Sequence, residues 1–461
     1  MSELHFLGIS ELGPMLAARE LSPVELCQAL LARCASLDPL LNAFVSLPSE
    51  RILADARVAE EELRRGDVRG PLHGVPIAVK DNIDVEGERT TAGSRVLADA
   101  RATGDAVIVA RLRAAGAIVF GKTNLPEFAY GPLDTYHYGP TRNPWDLQRY
   151  AGGSSMGSGS AVAAGLVPGA IGTDTTGSIR NPAAWCGVVG LKPTFGRVPT
   201  TGVVPLARTL DHAGPMARSA EDCAVLFDAV ADRDPGRAGA SHRKGAGRAT
   251  PLRRSVRGLR AGVLRGFLWE PLSADTAAAL TVALVALRDM GLEVVDVEVP
   301  AWKAAVEAGS TILACEASAE YRRFLRERPA DLTPQIRERL EGGLAVPAPD
   351  YVDALRATQR LRAELAELFT RVDVLVLPSR ERTAPRMEAT GRLTEPIGGP
   401  LYAVPLNGTG LPAVSIPCGF GSDGLPIGVQ LAGPAWGEAT LLALAHAYQK
   451  VTDWHARRPR P

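Results

Sequence analysis

Aromatic residues are scarce in this chain, at 5% of 461 residues, while Gly (47) and Pro (35) are frequent. That balance argues for tight backbone approaches and many loops rather than a long-helix bundle. Charge of one sign is missing as well: 51 Lys plus Arg face 51 Asp plus Glu, so the formal net charge is zero. No global field draws the chain toward nucleic acid or anionic lipid, and a polyanion partner is not expected. No run approaches the roughly 18 apolar residues of a membrane span, and the N-terminus has acidic residues early instead of a basic stretch followed by an apolar one. The expectation is a cytoplasmic protein with no membrane partner. The six cysteines, at 27, 34, 186, 223, 315 and 418, form no CxxC pair and have no histidines at ligand spacing. Zinc and disulfide frameworks therefore lack support, and the cysteines read as small buried hydrophobes. The seven histidines show no HExxH pattern, and no Gly-x-Ser-x-Gly elbow is bracketed by strand and helix. No period of some 20 to 50 residues repeats.

With 46% hydrophobic and 22% charged residues over this length, the chain is a packed globular protein. Residues 1–70 read as helical, with Ser22 as an N-cap and Pro23 at the first helical position. From residue 71 to 230 short apolar runs, GVPIAVK and GAIVFGK, alternate with helical sequence, as in an α/β protein with a buried sheet. Residues 233–260 form a basic Gly/Ala/Arg-rich loop or linker. Residues 300–395 read as variable, mostly helical sequence on the substrate side, and 396–461 return to the sheet.

Two familiar patterns fail on context. Gly116 to Thr123 satisfies the phosphate-loop spacing, but its four intervening residues, Ala-Ile-Val-Phe, read as a buried strand. Ser241-His242-Arg243-Lys244 matches Ser-x-x-Lys inside the basic tract and has none of the accompanying elements.

A third constellation holds together. PIAVKDNID ends an apolar strand in Lys80, YAGGSSMGSGSA carries Ser154 and Ser155, and GTDTTGSIRNPAAWCG carries Ser178. A serine hydroxyl is a weak nucleophile and needs an adjacent base, and an amide substrate also needs a proton for its departing nitrogen. A lysine behind an apolar strand can be held neutral by desolvation, and a second serine can pass protons between it and the nucleophile. The turn Asp174-Thr175-Thr176-Gly177-Ser178 offers successive backbone amides to an oxyanion, worth roughly 3 to 4 kcal/mol for each well-placed donor.

Here the chain resembles the amidase signature family, which joins a Gly-Gly-Ser-Ser segment to a Gly-Ser-Ile-Arg segment 24 residues later, the separation of Ser154 and Ser178. The likeness extends to PLHGVPIAVKDNIDVEGERTTAGS, GKTNLPEFAYG, CGVVGLKPTFGRVP, LDHAGPMARSAEDCA and LPAVSIPCGFGSDGLPIGVQLAGP. It implies a single large α/β/α domain over 1–461, with a mixed sheet of about eleven strands covered by helices on both faces. It implies a Ser-cisSer-Lys triad in which Ser178 is the nucleophile, Ser154 the bridging serine and Lys80 the base. By the same likeness Thr175, Thr176 and Gly177, with Ser178, supply the oxyanion amides, and Ser155, Asp174 and Arg180 hold the two loops together. No metal or organic cofactor is implied. The sequence departs from the family in Thr176 and Met156, where Gly is frequent. A β-branched residue tolerates positive φ poorly, so Thr176 is expected in an ordinary backbone region or under strain.

The resemblance also covers amidotransferase A subunits, which take ammonia from glutamine for tRNA-bound residues. Their glutamine site resembles one with an acidic residue shortly before a VPxN segment. In TEPIGGPLYAVPLN the nearest acid, Glu395, stands ten residues before Pro405, and the closer positions carry no charge for a substrate ammonium. The expectation is a free-standing serine amidohydrolase of small neutral or apolar amides, anilides or carbamates, acting on a small-molecule substrate without nucleic acid. A homodimer is compatible with this reading. The amidotransferase A subunit is the alternative, and a docking module without catalysis is set aside because all three triad residues are present. Phe128 and Tyr130 are candidates for an apolar pocket.

Overall fold

The computed structural model describes residues 4–232, 252, 254–399 and 401–461. Most of the basic 233–260 tract therefore lies outside the described residues, as does the Ser241–Lys244 pattern.

Eleven strands make one mixed sheet: β1 Phe44–Ser46, β2 Pro76–Lys80, β3 Ile118–Thr123, β4 Gly169–Asp174, β5 Val189–Lys192, β6 His212–Ala217, β7 Arg260–Leu264, β8 Glu293–Val297, β9 Val374–Pro378, β10 Ala413–Phe420 and β11 Pro426–Ala432. Their order is β1-β3-β2-β4-β6-β5-β10-β11-β9-β7-β8. β2 runs parallel to both β3 and β4, and β4 pairs antiparallel with β6. Strands β2, β3 and β4 are buried at every position, which explains why they read as continuous apolar runs rather than alternating patterns. The Gly116–Thr123 segment is such a strand. Its Lys122 is buried against Asp81 at 2.9 Å.

Helix α1, Pro23–Leu41, begins where the sequence indicated: the Ser22 hydroxyl accepts from Val24 N–H at 3.0 Å, and Glu25 completes a capping box. Helices α2, Met156–Ala163, and α3, Arg180–Cys186, follow the serine segment and the β4 turn. Of three longer helices, α4 Trp302–Glu327, α5 Pro334–Leu344 and α6 Ala348–Leu368, α4 packs against both of the others. Under α4 and α5 lies a separate apolar cluster that includes Phe128, Leu133, Tyr321, Ile336 and Leu340. Five of the six cysteines are buried, and Cys315 is half-buried. No helix among the described residues is long and apolar enough to cross a membrane.

Candidate active site

Strand β2 ends in Lys80, so its side chain leaves the sheet at the carboxyl edge of adjacent parallel strands, where α/β folds place their sites. Lys80 is fully buried. Its Nζ lies 2.7 Å from Ser154 Oγ and 2.8 Å from Thr173 Oγ1. Burial lowers the amine from 10.5 to about 7, against the opposing pull of Asp174 and Asp211. The amine is therefore available as a neutral base close to physiological pH.

Ser154 follows a cis Gly153–Ser154 peptide. A Cβ on Gly153 would collide with the Tyr150 hydroxyl, so the tyrosine would have to shift to admit any larger residue there. Ser155 fastens this loop to β4: its hydroxyl donates to Thr173 C=O at 3.0 Å and accepts from Thr173 N–H at 3.2 Å. Its own N–H donates to Ser178 C=O at 3.1 Å, bringing the two serine segments side by side. Ser178 is 7% exposed and Ser154 3%. Among the described hydrogen bonds none joins the Ser154 and Ser178 hydroxyls directly; the direct polar links run from Lys80 to Ser154 and from Ser155 to Ser178.

The turn after β4 is organised by Asp174. Its carboxylate accepts from Gly177 N–H at 2.7 Å and Ile179 N–H at 3.1 Å, and takes the Arg180 guanidinium in a fork at 2.9 and 3.0 Å. Burial pushes this carboxyl up, but Arg180, Lys192 and Asn407 outweigh it and hold it well below the ordinary carboxylate range. Arg180 continues to Gln430 at 2.7 Å and to Asn407, whose amide in turn donates to the Asp174 carbonyl at 2.9 Å. The ion pair is thus part of a network in which every charge has several partners.

This geometry revises the expected oxyanion donors. The Gly177 N–H is committed to Asp174, so it is not free for an oxyanion. The N–H groups of Thr175, Thr176 and Ser178 have no acceptor among the described hydrogen bonds. Gly177 carries the turn's left-handed geometry, with φ of +114°, and Thr176 has no positive φ, so the β-branched residue sits in an ordinary backbone region. The Thr175 hydroxyl donates to Asp211 at 2.6 Å, anchoring the other end of the turn.

Phe128 is 2% exposed and stacks on Tyr321 with ring centroids 3.8 Å apart, inside the cluster beneath α4. It is a packing residue. Tyr130 is half-buried, with the Arg339 guanidinium 5.2 Å from its ring centre and its carbonyl accepting from the same arginine. Sequence reasoning missed Thr173, Asn407 and Gln430. Thr173 lies within the GTDTTG segment, one residue before Asp174, but its contact with Lys80 depends on the register of β2 with β4.

An α/β sheet with a lysine, two serine loops and a carboxylate-organised turn at one edge defines an enzyme of the amide-cleaving class. The Amidase family model matches residues 25–442, and the chain belongs to that family, whose enzymes act on carbon–nitrogen bonds. It is 41% identical to the A subunit of the glutamyl-tRNA(Gln) amidotransferase of Chloroflexus aggregans, an alignment covering 100% of this chain and 99% of that protein. A solved chain from a vestigial protein complex, described for the evolutionary origins of an s-triazine catabolic enzyme, superposes with a TM-score of 0.89 at 37% identity, covering 99% and 100% of the two chains. The peptide amidase of Stenotrophomonas maltophilia superposes at 0.85 with 35% identity, covering 98% of each chain.

These findings correct two expectations. The free-standing hydrolase of neutral or apolar amides, anilides or carbamates gives way to the amidotransferase reading, because the curated relatives that match at about 40% identity over the whole chain are A subunits. The composition of one segment, the uncharged one before VPLN, does not by itself set the substrate's charge. The expected absence of a nucleic-acid partner is overturned by the same relatives, which are named for tRNA(Gln). Net charge averages over the whole surface, and one member of an assembly need not carry the field that holds its nucleic acid.

Proposed function

We propose that this chain is the amide-cleaving A subunit of a tRNA-dependent amidotransferase, releasing ammonia from glutamine for transfer to a tRNA-bound acyl group. The observation that carries this reading is the buried Lys80 amine 2.7 Å from Ser154 Oγ, in a chain related along its full length to such subunits. Ser178 Oγ attacks the side-chain carboxamide carbon. Its proton goes to Ser154, whose own proton passes to neutral Lys80 Nζ, and the carbonyl oxygen becomes an oxyanion held by the Thr175, Thr176 and Ser178 amides. As the tetrahedral intermediate collapses, the C–N bond breaks and the proton returns from Lys80 through Ser154 to the leaving nitrogen, which departs as ammonia. Water then cleaves the acyl-enzyme by the same relay run in reverse, leaving glutamate. Ser155, Asp174 and Arg180 act by holding the two loops in register.

The reading calls for partner subunits and tRNA(Gln) carrying glutamate. It is tested by following ammonia from glutamine with the chain alone and with those partners. The expected result is release that depends on Ser178 and rises when the charged tRNA is present. A chain that never consumes glutamine in the assembled complex contradicts it.

A further inference from the structure

Asp211 stands opposite Thr175 because of strand register. β4 and β6 are antiparallel with Asp174 facing His212, so the residue before β6 meets the residue after β4. The Asp211 carboxylate gathers three donors. Oδ1 accepts from the Thr175 hydroxyl at 2.6 Å, and Oδ2 from the N–H groups of Leu206 at 2.8 Å and Ala207 at 3.1 Å. The 205–209 segment is itself fastened to α4. Glu320 takes the Arg208 guanidinium through two contacts of 2.9 Å, Glu316 accepts from the Thr209 N–H at 3.0 Å and its hydroxyl at 2.6 Å, and the Tyr321 hydroxyl donates to the Pro205 carbonyl. One carboxylate thus ties the turn that carries Thr175 to a loop held by α4. No cation pairs with Asp211 among the described residues: Arg208 is taken by Glu320, and Lys80 holds to hydroxyls. Burial raises the Asp211 carboxyl from 3.8 to about 6. Asp174, at the other end of the turn, has Arg180 beside it and is held low instead. A carboxylate kept without a counter-charge costs the fold stability, and an amide would relieve that cost. An amide would also lose a contact: Asn has one carbonyl oxygen, which could serve Thr175 or the 206–207 backbone but not both sides.

We propose that Asp211 is a positioning residue for the reaction, holding the Thr175 hydroxyl so that the Thr175 N–H is aimed at the oxyanion formed when Ser178 attacks. This rests on the acylation of Ser178 proposed above and holds whichever amide is cleaved. The Thr175 N–H has no acceptor among the described hydrogen bonds, whereas the Gly177 N–H is spent on Asp174. Thr175 is β-branched and stiff about its Cα–Cβ bond, so a fixed hydroxyl also fixes the backbone that carries the amide. The two carboxylates divide the turn between them. Asp174 holds the half that leads into α3, and Asp211 holds the half that leaves β4. An oxyanion donor is effective only when its direction is set before charge develops, and the bridge to the α4-held loop supplies that constraint.

The test is the rate at which a neutral fluorophosphonate labels Ser178 in the full chain, with the limiting rate separated from the half-saturating concentration. The probe's phosphoryl oxygen stands where the carbonyl oxygen would, so the same amides serve it. Thr175→Val and Asp211→Asn are each expected to lower the limiting rate by about 10-fold, as a donor is misaimed rather than deleted, with the half-saturating concentration unchanged. The double variant is expected to match either single variant, because each removes the same link. Thr175→Ser restores the hydroxyl and is expected to recover most of the rate lost in Thr175→Val. Thermal melting shows whether each variant is folded; if Asp211→Asn is not, the comparison of Thr175→Val with Thr175→Ser decides. Unchanged limiting rates in folded variants, losses that multiply in the double variant, or a Thr175→Ser rate no better than that of Thr175→Val overturn this inference and leave Ser178 standing as nucleophile. A parent that is not labelled at Ser178 overturns it together with that nucleophile.

Discussion

Lys80 Nζ touches two hydroxyls, Ser154 Oγ at 2.7 Å and Thr173 Oγ1 at 2.8 Å, and pairs with no carboxylate among the described residues. Lys122, equally buried on the next strand, instead meets Asp81 at 2.9 Å. The two buried lysines thus differ in their partners. With only hydroxyls in contact, burial brings the Lys80 amine to about 7, where it can accept the Ser154 proton.

Lys80→Met is expected to lower acylation by roughly 10²- to 10⁴-fold while raising stability. The amine is 10.5 when unfolded and about 7 when folded, so the folded state is penalised most below pH 7 and the penalty fades as pH rises toward 10.5. Removing the amine relieves a few kcal/mol at pH 7. Chemical denaturation across pH 6 to 10.5 measures the gain, expected largest at the acid end. In the parent the acylation rate should rise through a transition near pH 7, and in the variant that limb should vanish.

Thr173→Val keeps the shape and removes the hydroxyl that accepts from Lys80 and, at 3.2 Å, from Asn82. A hydroxyl accepting from an ammonium favours the charged form, so its loss should lower the amine further and move the acid limb to lower pH. The plateau rate should drop about 10-fold as the amine loses its anchor, a loss of order 1.4 kcal/mol. A pH–rate profile separates the two effects.

Asp174→Asn should destabilise the fold by about 3–5 kcal/mol, because Arg180 would remain buried with its charge uncompensated. In the parent, the Asp174 carboxyl is held below its ordinary 3.8. Its contribution is therefore complete above that value and lost as pH falls below it. Urea unfolding of both proteins at pH 7 and at about pH 3 tests the size and the direction, the difference between them being smaller at the lower pH.

Gly177→Ala is expected to cost at least roughly 10²-fold in acylation, the scale of losing one oxyanion donor. The new Cβ would stand 2.8 Å from both Ala403 Cβ and the Asn181 amide, at a φ of +114°. The turn would have to shift. Thermal melting, expected to change little beside the rate, distinguishes this from global unfolding.

Much of this site was legible as chain order. An apolar strand ending in Lys80, paired serines and a glycine-bearing turn before Ser178 are local patterns, and each became a strand end, a loop or a turn. Contacts across the sheet were not legible. Asn407 and Gln430 reach the Asp174–Arg180 pair from more than 200 residues away, through the ordering of β4, β10 and β11. The oxyanion donors were misjudged at Gly177 because an amide's direction depends on the turn's dihedral angles. Phe128 illustrates the same limit: its apolar ring suited a pocket or a core equally, and only its stacking on Tyr321 in α4 decides for the core.

The central claim is that Ser178 is the nucleophile. Peptide mass spectrometry after treatment with a fluorophosphonate tests it most directly, comparing the parent with Ser178→Ala. The account predicts one adduct, on the peptide carrying Ser178, that is absent from the variant. An adduct on Ser154 or elsewhere, or labelling that survives in Ser178→Ala, would contradict it.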